Sequence, residues 1–81
     1  MKASIEISMY PLDKEYGHQI LAFINELKKH PSLEVRTNTM STQIFGNYDI
    51  LMDLMKNEIK TAFKTTNTTV MVLKIVNEDL R

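Results

Sequence analysis

The sequence contains no cysteine, no tryptophan, two glycines and two prolines in 81 residues. Without cysteine there is no disulfide framework, no thiolate zinc site, no iron–sulfur cluster and no cysteine nucleophile. The glycines, Gly17 and Gly46, stand too far apart to build a Gly-rich phosphate cradle. Neither sign of charge is in excess: 10 Lys+Arg meet 10 Asp+Glu, a formal net charge of zero. The chain therefore lacks the long-range field that phosphate-backbone binders use, and nucleic acid is not an expected partner. No apolar run approaches the ~18 residues needed to cross a bilayer, and the segment Met1–Met9 has no long apolar stretch ahead of a small-residue cleavage site. The expected setting is cytoplasmic, without membrane insertion.

What is present is enough for one domain over residues 1–81, with 43% hydrophobic residues. Surface scaling gives a folded area of about 5,000 Å² against about 13,600 Å² extended, so roughly 63% of the surface can be buried. That is one thinly covered core.

Residues Lys2 to Tyr10 alternate, with Ala3, Ile5, Ile7 and Met9 on one side and Lys2, Ser4, Glu6, Ser8 and Tyr10 on the other, which predicts a strand with one buried face. Pro11 ends it, and Asp13 is placed to cap a following helix. In that helix Tyr16, Ile20, Phe23, Ile24 and Leu27 form one apolar stripe. Lys28, Lys29 and His30 suit the negative end of its dipole, and Pro31 stops it. Leu33 to Phe45 reads as two short strands with a turn near Asn38–Met40; lacking glycine, that turn is expected to be type I or to carry a small bulge. Asn47 is placed to cap a second helix with the stripe Leu51, Leu54, Met55, Ile59, Ala62 and Phe63. Thr65 to Thr69 should not remain helical. Val70 to Val76, interrupted only by Lys74, reads as a last strand buried on both faces, or on one face and against a partner.

The order strand, helix, strand, strand, helix, strand has one common compact solution at this length. It is the ferredoxin-like α+β fold: a βαββαβ sandwich whose four-stranded antiparallel sheet has order 4-1-3-2, with two helices on one face. The other sheet face then has no helix over it. Glu6, Ser8 and Tyr10 lie there, with Arg36 and Asn38 of the second strand and, in one of two registers, Val70, Val72 and Lys74 of the last. Such a face is too polar for core and too apolar for plain solvent surface, which points to self-association or ligand binding.

Chemistry of other kinds finds little support. His18 and His30, on one helix, would be about 18 Å apart and cannot share a metal. Asp49 and Asp53 sit one turn apart on the second helix, where dipole stabilisation and solvation account for them. Acylphosphatases share the fold and use an Arg and an Asn, but Tyr10-Pro11-Leu12-Asp13 stands where their Gly-containing anion loop would be. RNA-recognition domains share the strand order, yet only Tyr10 and Phe45 could stack bases, and the ridge Lys56, Lys60, Lys64 reads as a solvated helix face. The six methionines, Met40, Met52 and Met55 among them, read more readily as core filler than as a binding surface. No catalytic residue, metal ligand or cofactor is expected.

Ile5-Glu6-Ile7-Ser8-Met9-Tyr10-Pro11-Leu12, followed after a helix by Leu33 to Gly46 with its Met40-Ser41-Thr42 hairpin, resembles the YkoF-like thiamine-binding family. The resemblance runs over nearly the whole chain. It implies a ferredoxin-like subunit without enzymatic activity that self-associates through its sheets into a homodimer or homotetramer. For part of that family it implies thiamine or its hydroxymethylpyrimidine portion as ligand, with a role in vitamin salvage or transport. An aminopyrimidine needs donors and acceptors together, hydroxyls, and a flat or polarizable wall. Asn38, Ser8, Ser41 and Thr42 offer the first two, Tyr10 and Met40 the wall. Glu6 can balance the thiazolium cation, and Tyr10 adds a cation–π contact. The alternative is a structural or regulatory oligomerisation domain with no small ligand.

Overall fold

The computed structural model describes all residues, Met1 to Arg81. The elements run β1 (Lys2–Pro11), α1 (Tyr16–Lys28), β2 (Glu34–Thr37), β3 (Thr42–Asn47), α2 (Tyr48–Thr65) and β4 (Thr69–Val76). They form one antiparallel sheet of order β2-β3-β1-β4 with both helices on one face, the expected ferredoxin-like arrangement. The folded surface is 5448 Å².

Alternation in β1 does what the sequence predicts. Ala3, Ile5, Ile7 and Met9 are buried beneath the helices, where they meet Phe23 and Leu27 of α1 and Leu51, Leu54, Met55 and Ala62 of α2. Ile5 and Ile44 face each other across β1 and β3 and form the middle of the core with Leu27 and Leu51. Both helical stripes overshoot. Tyr16 stands at the first residue of α1 and Phe63 one position past buried Ala62, and both are exposed.

Asn47 caps α2 as expected: its side-chain carbonyl accepts from the backbone N–H groups of Asp49 and Ile50 at 3.0 and 3.3 Å. Asp13 acts differently from expectation. It sits a turn ahead of α1, accepts from the Glu15 N–H at 3.0 Å, and also receives the side chains of Gln19 and Asn67. It thus clasps the β1–α1 loop to the α2–β4 loop. Those hydrogen bonds, the Glu15 N–H first among them, hold its carboxyl below the ordinary value of 3.8.

Gly46 ends β3 just before α2. A Cβ there would lie 2.4 Å from Leu33 Cδ2, and its φ of +158° is one that side-chain-bearing residues rarely adopt. The chain can pass this close to buried Leu33 only without a side chain.

Of the two expectations for β4, burial on both faces is not met. β4 is an edge strand whose outward residues Val70, Val72 and Val76 are exposed. At the Ser4–Phe45 end the open face is covered by the segment Glu78–Arg81. Ser4 Oγ donates to the Glu78 carbonyl at 2.7 Å and accepts from the Leu80 N–H at 2.8 Å. Phe45 is buried there, with the guanidinium groups of Arg36 and Arg81 at 5.3 and 6.0 Å from its ring centroid. No helix of the chain is long and apolar enough to cross a membrane.

Candidate functional site

The uncovered remainder of the sheet face forms a groove of about 500 Å³ lined by Glu6, Ser8, Tyr10, Asn38, Thr39, Met40, Ser41, Val72 and Lys74. Its floor comes from β1 and β4. Because β1 alternates, Glu6, Ser8 and Tyr10 project to this side, and the register sets Lys74, Val72 and Val70 opposite them. Its rim is the β2–β3 hairpin. Asn38 builds that rim: its side-chain carbonyl accepts from the N–H groups of Met40 and Ser41 at 2.7 and 2.9 Å, and its own N–H donates to the Ser41 carbonyl at 3.0 Å. This is an Asx turn, and it replaces the glycine that the turn lacks.

The hairpin is tied to β1 by two further contacts. Ser41 Oγ donates to Glu6 Oε2 at 3.0 Å, and Ser8 Oγ lies 3.4 Å from the Met40 carbonyl. The other oxygen of Glu6 faces Lys74 Nζ at 3.6 Å. One carboxylate is therefore fixed in the groove by a hydroxyl and loosely met by an ammonium. Tyr10 and Met40, 54% and 84% exposed, stand as walls with little protein against them.

Six of the seven residues singled out from the sequence meet in this groove: Glu6, Ser8, Tyr10, Asn38, Met40 and Ser41. Thr42 does not. It pairs with Ile7, is 5% exposed, and turns to the helix side, where it lines an adjoining cleft of about 110 Å³ with Met9, Ile20 and Phe23; Ser8, Asn38, Met40 and Ser41 border both this cleft and the groove. Asn38 is also narrower in function than expected. Both backbone bonds fall on its carbonyl oxygen, so it can only donate through its amide nitrogen, and Glu6 is left as the acceptor. Arg36 shares the open face but lies over Phe45 and pairs with Glu34, away from the groove.

Thr39, Val72 and Lys74 complete the lining and were not among the residues chosen from sequence. A signal for the last two exists. Of the two registers for β4, only this one sets Lys74 opposite Glu6, and opposite charges on facing positions of paired strands favour each other.

A second concavity, of about 250 Å³, lies between the helices and includes His18, Glu26, Glu58 and Thr65. The hydroxyls of Thr65 and Thr66 there are turned back onto carbonyls of α2 at 2.8 to 3.3 Å. No group of three or more His, Asp or Glu side chains is placed to hold a metal ion.

No protein-family model and no curated protein matches the chain. Solved structures do. A protein from Streptococcus pneumoniae matches with a TM-score of 0.89 at 23% identity, over 99% of this chain and 90% of that one. A Thermotoga maritima protein provisionally assigned to thiamine biosynthesis or salvage matches with a TM-score of 0.86 at 16% identity, over 96% of this chain and 85% of that one. A hypothetical protein from Methanocaldococcus jannascii matches with a TM-score of 0.81 at 27% identity, over 99% and 84% of the two chains. What these likenesses establish is the shared fold.

Proposed function

We propose that this chain is a single-domain member of the YkoF-like family and a non-enzymatic binding protein, whose groove takes thiamine or its hydroxymethylpyrimidine portion. The observation that carries the reading is the meeting of Glu6, Ser8, Tyr10, Asn38, Met40 and Ser41 in one concavity. The two sequence segments that carry the family resemblance supply all six. The fold shared with a Thermotoga maritima protein provisionally assigned to thiamine biosynthesis or salvage supports a thiamine-related role. In this reading the Asn38 amide nitrogen donates to a pyrimidine ring nitrogen, Glu6 faces the exocyclic amine or the thiazolium, and Tyr10 and Met40 lie against the ring faces. No cofactor or metal takes part. The fitting role is capture of the vitamin or its precursor for salvage or transport.

Calorimetric titration with thiamine and with hydroxymethylpyrimidine tests the site. Tyr10→Ala should weaken binding by at least ~1 kcal/mol, about fivefold, at unchanged melting temperature, which is the size of one lost stacking contact. Unchanged affinity would remove Tyr10 from the site. Tyr10 is preferred to Asn38 for this purpose, because truncating Asn38 also undoes the hairpin turn.

A second reading is favoured by one observation of its own. Val70, Val72 and Val76 lie exposed along the outer strand of the same face as Tyr10. They give that face the character of a contact between copies, which would make the chain a homo-oligomer through its sheets, with or without a ligand. An oligomer indifferent to both compounds would establish this reading in place of the first.

A further inference from the structure

We infer that Lys74 sets the charge preference of the groove, because its ammonium holds the place at Glu6 that a ligand cation has to take. The inference rests on the reading of the groove as a thiamine or pyrimidine site and names the residue that chooses between the two. Three observations lead to it. Glu6 is the carboxylate of the groove, and one of its oxygens is held by Ser41 Oγ at 3.0 Å, so its position is set by the hairpin. Its other oxygen faces Lys74 Nζ at 3.6 Å, too long for a hydrogen-bonded pair, and the Lys74 side chain is 79% exposed. Lys74 also comes from β4, an edge strand, so its long stem can leave for solvent without disturbing the core.

The consequence follows from charge. A neutral heterocycle can lie on Tyr10 and bond to Asn38 while the Glu6–Lys74 pair stays as it is. A cation approaching Glu6 must displace an ammonium already there or sit beside it. In either case it gives back part of what the carboxylate offers. An exposed pair of this kind is worth little, so displacement is feasible and its cost modest. Lys74 therefore handicaps a permanent cation against a neutral ring of similar shape, and no other basic residue lines the groove.

The test uses Lys74→Met, which keeps the stem and removes the charge, titrated with thiamine and with hydroxymethylpyrimidine beside the unaltered protein. Thiamine should bind about two- to fivefold more tightly to the variant, hydroxymethylpyrimidine should change by less than that, and the gain for thiamine should shrink in ~1 M salt. In a Glu6→Gln background the same substitution should no longer favour thiamine. Equal changes for the two compounds, or no gain for thiamine, would overturn the role of Lys74 while leaving the site in place. Binding of neither compound to either form would overturn both the role and the site.

Discussion

At the scale of single residues, three side chains decide what the groove offers. Asn38 spends its carbonyl on the turn and keeps its amide nitrogen, Ser41 orients Glu6, and Glu6 supplies the one carboxylate. The sequence placed these residues together because alternation in β1 is unambiguous and the hairpin follows a strand of known side. Thr42, gathered with them for its hydroxyl, stands on the helix side of the hairpin, in a cleft that adjoins the groove. Gly46 shows a different limit. Its place before α2 was legible, but the reason for glycine was not, since the close approach of Leu33 comes from a residue thirteen positions away. Gly46→Ala should lower stability by about 1–3 kcal/mol through that overlap and the unfavourable φ, read as a lower denaturant midpoint at unchanged slope. A midpoint equal to that of the unaltered protein would show that Leu33 yields without cost.

At the scale of elements, the helices were readable from period and most of their ends from Asn47, Pro31 and the polar run after Thr65, whereas α1 starts past Asp13, with Glu15 in the N-cap position. Tyr16 and Phe63 belong to the apolar stripes by spacing yet stand exposed, so the stripe pattern reads wider than the buried face. The segment Glu78–Arg81 gave no periodic signal at all, yet it closes one end of the sheet face through Ser4 and Phe45. Between elements, the Asp13 clasp has a pH signature. Its carboxyl is lowered below 3.8, first by the Glu15 N–H and also by Gln19 and Asn67; Asp79 is lowered in the same sense, chiefly by its hydrogen bond from Arg81. A group whose folded value is depressed contributes stability in full above its unfolded value and loses it as pH falls through the folded one. The melting midpoint should therefore be flat above about pH 5 and fall below about pH 4. In Asp13→Asn the decline should be shallower; an identical decline would mean that the clasp carries none of the acid sensitivity.

At the scale of the whole molecule, the chain is a two-layer sandwich, 38 × 23 × 19 Å, with helices on one side and a largely open sheet on the other. Strand order and layer arrangement were legible because few topologies join six elements in 81 residues with short connections. The division of the open face was not legible, since it depends on contacts between the two ends of the sequence. One end of the face is closed by Glu78–Arg81, the outer strand carries exposed valines, and the groove lies between them and the hairpin. The central claim is that this groove is a vitamin site. Its most direct test is a melting scan of the protein alone, with thiamine, with hydroxymethylpyrimidine, and with a cationic heterocycle of matched charge. Ligand at about 100 times its Kd adds ~2.7 kcal/mol, which in a domain of this size raises the midpoint by roughly 10 °C or more. The account predicts such a shift with thiamine or hydroxymethylpyrimidine and none with the matched heterocycle. No shift at millimolar concentrations of either compound would contradict it and leave the face as a surface for association alone.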